Sequence, residues 1–118
     1  MHTVEFITLE DEDPDFVVSF ALAPQAASSI TLLRTPKYES LLPDEERGVV
    51  VAAGVHGTDE RELLVSISFN MQDGLGAIVS TKRTYEFSLT RIPAEDVEAS
   101  IALLRQMNFD SRFVVNAA

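Results

Sequence analysis

The sequence predicts an α+β domain: a mostly antiparallel sheet of six or seven strands, with one C-terminal helix (about 93–108) packed on it. Three observations predict this. Apolar residues alternate at period two in several separate stretches. One stretch alone, late in the chain, has the spacing of an amphipathic helix. No linker, internal repeat or low-complexity segment divides the 118 residues, so a single domain spanning 1–118 is expected.

Residues 3–9 are β-prone, with Val4 and Phe6 set against Ile7 and Leu9. The run Glu10, Asp11, Glu12, Asp13, Pro14, Asp15 follows. Like charges repel and the proline removes a backbone donor, so a solvated turn is expected there. Residues 15–22 form a strand with Phe16, Val18, Phe20 and Leu22 on one face, and Val17, Ser19 and Ala21 on the other. A turn around Pro24 leads to a strand over 29–35, with Ile30 and Leu32 opposite Thr31 and Leu33. Residues 36–48 hold Pro36, Pro43 and a charged stretch, which predicts a long connection across the sheet with a short helical turn near 38–42.

Residues 48–56 are apolar on both faces and rich in β-branched side chains, the pattern of a buried central strand. A polar turn over 57–61 precedes the clearest strand, 62–70. There Leu63, Val65, Ile67 and Phe69 are expected to face the core, opposite Leu64, Ser66 and Ser68. Asp73-Gly74 marks a turn. Residues 77–90 are β-prone, with Lys82-Arg83 marking a break or an exposed edge.

Pro93 suits a first helical position, where its missing N–H costs nothing. Glu95, Asp96 and Glu98 then complement the positive end of the helix dipole, and Arg105 the negative end. Val97, Ile101, Leu104 and Met107 make the buried stripe. The patch 113–115 adds either an edge strand or a packed tail. Phe20, Ile67, Phe87 and Leu104 are the expected core.

Nine basic against nineteen acidic residues give a net charge of −10. That disfavours nucleic acid or an anionic membrane as a direct partner, since both need a basic surface. Zero cysteines exclude disulfides, thiolate metal sites and a cysteine nucleophile. No apolar run reaches ~18 residues, and the N-terminus lacks the basic-then-apolar pattern of a signal peptide, so a cytoplasmic setting is expected.

No catalytic site is expected. His56 with Asp59 or Glu60 has a metal-ligand spacing, but two ligands fall short of the three or four of a zinc site. Glu95 and Asp96 belong to a first helical turn. Gly74 and Gly76 lack the lysine of a phosphate-binding loop. No metal or other cofactor is expected. Charge runs are usually solvated, and the acidic run lacks the glycine and spaced glutamate of a calcium loop. The sharper alternative is a negative patch that meets a basic protein, and residues 1–28 carry no lysine or arginine.

The segment SITLLRTPKYESLLPDEERG has a strand ending in Arg34, an acid-rich run with Glu39, Asp44, Glu45 and Glu46, and Gly48 opening the next strand. LLVSISFN, DGLGA, TYEFSLT and the helical PAEDVEASIALLRQM follow. Over residues 29–108 this order resembles a family of small bacterial immunity proteins of polymorphic toxin systems. A glutamine commonly precedes the arginine in that pattern, and Leu33 stands there here. The resemblance implies no catalytic residues, and stoichiometric neutralisation of a cognate toxin by binding. Exposed acids are then the expected contacts with a basic toxin domain: Asp11, Glu12, Asp13 and Asp15 in the first run, Asp44, Glu45 and Glu46 in the second, and Glu39. Two alternatives stand beside it: a non-catalytic module working as a homo-oligomer, and a small ligand-binding or enzymatic domain without a recognisable motif.

Overall fold

The computed structural model describes residues 2–12, 15–23, 28–53 and 62–117. They form an α+β structure of eight strands and one long helix. The strands are β1 (His2–Glu12), β2 (Asp15–Leu22), β3 (Ser28–Arg34), β4 (Val50–Ala53), β5 (Leu64–Asn70), β6 (Leu75–Ser80), β7 (Thr84–Ser88) and β8 (Val114–Ala117). The helix α1 spans Ala94–Met107, and two 3-10 turns, Pro36–Leu41 and Asp44–Glu46, lie between β3 and β4. The sheet order is β4-β3-β2-β1-β7-β6-β5-β8. The β1–β7 and β5–β8 pairs are parallel and the rest antiparallel. Eight strands replace the expected six or seven because the chain does break at Lys82-Arg83, giving β6 and β7, and because the C-terminal patch pairs with β5 as an edge strand.

The two four-strand halves meet at a short seam. β1 pairs with β7 only at His2↔Phe87 and Thr3↔Ser88. Elsewhere, an antiparallel bridge joins Val50 to Leu63. There the Val51 N–H donates to the Glu62 carbonyl, and Leu64 N–H to that of Val49, both at 2.8 Å. Two ties between the halves require a strongly curved sheet, and α1 packs against β1, β2 and β8. Phe20 of β2 and Phe87 of β7 meet across the seam with ring centroids 5.0 Å apart. Phe20, Ile67, Phe87 and Leu104, the expected core, are all fully buried. The helix buries Val97, Leu104 and Met107 as its stripe requires, together with Ser100 and Leu103. The Ser100 hydroxyl donates to the Val97 carbonyl at 2.7 Å, which satisfies it within the apolar layer. Pro93 sits one residue outside the helix, as its N-cap.

Three expectations are corrected. The acidic run is not a turn up to Asp15. β1 continues through Glu10, Asp11 and Glu12, which pair with Val17, Phe16 and Asp15. Strand alternation sends successive carboxylates to opposite faces, and all three stay exposed, so water screens their repulsion. β4 is an edge strand rather than a central one: Val51 is buried, but Ala52 is exposed. In β5 a bulge between Leu64 and Ser66 shifts the phase. Leu64 turns inward and Val65 lies 44% exposed, while Ile67 and Phe69 keep their inward places.

Candidate partner-binding surface

Pairing registers place the solvent face of the first half-sheet. Glu10, Val17, Leu33 and Val50 form one row across β1 to β4. Thr8, Ser19, Thr31 and Ala52 form the next. In that second row the Ser19 and Thr31 hydroxyls are 3.1 Å apart and hydrogen-bonded. Glu12 and Asp15 are direct cross-strand partners beyond the first row. The Thr35 hydroxyl donates to Asp15 Oδ1 at 2.8 Å. Asp11, one residue out of phase, projects on the other face beside Phe16. Asp13 lies outside the described residues. The first lysine or arginine of the chain is Arg34, at the very end of β3.

Arg34 is spent internally. Its side chain is fully buried, and each of its five N–H donors has a partner. Nε and Nη2 donate to the two Glu39 oxygens at 2.8 and 2.9 Å. Nη1 and Nη2 donate to the two Asp110 oxygens at 2.8 and 2.7 Å. Nη1 also donates to the Met107 carbonyl at 2.7 Å, a free acceptor in the last turn of α1. The Phe109 ring stacks on the guanidinium, 4.1 Å from its centre. Burial works to lower the Arg34 pKa, but the bonds to Asp110 and Glu39 outweigh it and hold the charge on. Burial likewise works to raise the Glu39 pKa, and Arg34 pulls it below the usual value.

Glu39 is therefore not an exposed acid. The 3-10 turn Pro36–Leu41 folds the chain back so that Glu39, five residues on, meets the arginine. Gly48 helps by donating its backbone N–H to the same carboxylate, from a φ of +132° that favours glycine. The network continues outward. Arg112 Nε donates to Asp110 Oδ2 at 2.6 Å, and its Nη2 to Asp44 Oδ1 at 2.7 Å. Asp110 lies well below the usual carboxylate range, first because Arg34 donates to it. So two of the expected contacts, Glu39 and Asp44, belong to one network with Arg34, Asp110 and Arg112. Glu45 and Glu46 are exposed beside it, and Asp11 and Glu12 lie apart from it on the β1–β2 hairpin.

A second buried acid, Glu62, precedes β5. Its Oε2 accepts from the Ser80 hydroxyl at 2.8 Å and the Tyr85 hydroxyl at 2.6 Å, with Arg83 Nε 3.6 Å from Oε1. Burial and then the bond to Glu62 push the Tyr85 pKa up to about 12. Sequence patterning missed Asp110 and Glu62, because each looks like an ordinary turn acid until a distant chain segment meets it. The one sequence signal was Arg34 itself, a charge terminating an apolar strand.

His56, Asp59 and Glu60 lie outside the described residues. Among the described residues no three His, Asp or Glu side chains cluster as metal ligands, and no helix is long and apolar enough to cross a membrane. Beside Leu33 the face holds a cavity of about 290 Å³, lined by Leu33, Thr35, Tyr38, Glu39, Leu42, Gly48 and Val50. The chain matches no family model, no curated protein and no solved structure.

Proposed function

We propose that this is an immunity-type protein, which binds and neutralises a cognate bacterial toxin by covering its surface. The observation that carries the reading is the segregation of charge. Glu5, Glu10, Asp11, Glu12, Asp13 and Asp15 precede the first cation, Arg34, whose charge is compensated internally by Glu39 and Asp110. Among the described residues, the first half-sheet carries Glu10, Asp11, Glu12 and Asp15 exposed or half-buried, and its strands contribute no exposed lysine or arginine. A basic partner meets a complementary field there, which speeds encounter and orients it. The test is to look for a toxin gene beside its own and to co-express the two. Protection of the host, with a complex that survives gel filtration at low salt, is the expected result. Unprotected cells and two separate peaks would refute it.

A second reading, a homo-oligomeric module, is favoured by one observation: Leu33 and Tyr38, 36% and 51% exposed, line one apolar cavity. Sedimentation velocity at rising concentration tests it. A single monomer boundary throughout excludes it.

A further inference from the structure

We infer that a cationic protein surface docks on the solvent face of β2, β3 and β4, and that the cavity beside Leu33 receives one large apolar side chain from it. This rests on the protein-binding reading above and adds a place and an anchor to it.

The face has an apolar centre. Val17, Leu33 and Val50 stand in one row, and Tyr38 and Leu42 close the cavity against Leu33 and Val50. A volume of about 290 Å³ is at the lower edge of what a small-molecule site offers, roughly 300–1,000 Å³. It suits a single side chain better than a cofactor. Interfaces concentrate their affinity where such an anchor fills a pocket surrounded by a polar rim.

The rim says what the partner is. Glu10 ends the apolar row, and Glu12 and Asp15 face each other as the next cross-strand pair. Like charges directly opposite destabilise a sheet, and Asp15 gets only a neutral hydroxyl, from Thr35, in return. The nearby cations sit on the connecting segment, not on the strands. Lys37 lies over the Tyr38 ring at 5.9 Å, and Arg47 donates to the Leu42 carbonyl at 3.0 Å. A second copy of the chain would bring these carboxylates against a surface of the same sign. A basic surface relieves their repulsion instead.

The experiment titrates the full-length, 15N-labelled chain with two synthetic peptides followed by NMR. Each is a short lysine- and arginine-rich peptide, with phenylalanine at its centre in one and alanine in the other. The phenylalanine peptide should shift the amides of Leu33, Tyr38, Leu42 and Val50, and those of Glu10, Glu12 and Asp15. The alanine peptide should bind about tenfold more weakly. Raising the salt to about 0.5 M should weaken both. Leu33→Asp and Tyr38→Ala, at exposed positions, should keep the wild-type circular dichroism and lose the preference for phenylalanine. Equal binding of the two peptides, shifts centred on β5 to β8, or no binding at millimolar peptide would each overturn the inference. Co-expression with the adjacent toxin separates the two proposals. If Leu33→Asp protects as well as wild type, the docking site is wrong and the function stands. If the phenylalanine peptide docks as described and no toxin is neutralised, the site stands and the function falls.

Discussion

Arg34 shows how one side chain sets the cost of its surroundings. A guanidinium without access to water is tolerable only with its donors satisfied, and here two carboxylates and a helix carbonyl do that while an aromatic ring covers its face. Arg34→Met leaves the buried Glu39 without a cation and Asp110 with Arg112 alone, and should destabilise by ~3–5 kcal/mol in urea unfolding. Changing Glu39 and Asp110 to leucine in the same background should recover most of that loss, because the uncompensated charges are gone. The two carboxylates also make stability depend on acid. Their pKa values are depressed in the folded state, so their contribution is complete above the unfolded values near 4 and fades as pH falls towards the folded ones. Urea midpoints measured from pH 7 to pH 2 should drop more steeply for wild type than for Asp110→Asn. Tyr85 has the opposite sign. Its pKa rises to about 12, so its contribution is present below the unfolded value of about 10 and disappears as pH climbs towards 12. Tyr85→Phe should cost roughly 1.5–3 kcal/mol at neutral pH and flatten the alkaline limb.

Elements were legible where local pattern alone decides them. The stripe of α1 and the alternation of β2 needed no tertiary information, and most of each stands: Val97, Leu104 and Met107 are buried with Ile101 half-buried, and Val18, Phe20 and Leu22 point inward, though Ala21 is buried too and Phe16 only half-buried. What periodicity cannot see is a bulge or a neighbour. Val65 and Leu64 exchange places because one residue is extra in β5, and a two-residue repeat has no memory of such an insertion. Val50 to Ala53 reads as central because its side chains are apolar, yet nothing in that stretch records that only β3 would pair along its length. The acids of the candidate surface were legible as residues and not as a surface. Glu39 was drawn in by the local turn that folds it back on Arg34, and Asp44 by Arg112, which lies nearly seventy positions away in sequence. Packing predictions belong to this scale. Ile67→Ala should cost ~2–5 kcal/mol. Gly76→Ala should cost ~1–3 kcal/mol, since a Cβ at that point of β6 overlaps the Phe87 ring. A urea midpoint for Gly76→Ala equal to wild type would show that the ring yields freely.

At the scale of the whole molecule, the net charge of −10 is a self-repulsion that the fold must bear. Changing Glu10 and Glu12 to Gln and Asp11 to Asn removes three charges from exposed positions of one strand. Thermal melts at about 0.01 M and 0.15 M salt should show wild type gaining from the added salt and the triple variant gaining less, because the Debye length shrinks from ~30 Å to ~8 Å over that range. The seam at His2 and Thr3 has a consequence for how the chain folds. β1 finds its parallel neighbour only when Phe87 and Ser88 have emerged, so among the described strand pairs the one most remote in sequence is the seam itself. Contacts this remote in sequence slow a folding reaction, and they keep the β7 edge of β1 unpaired on the ribosome until late. Until then that edge is open to other chains. The acidic residues strung along β1 are well placed to keep such nascent edges apart, whatever they later bind.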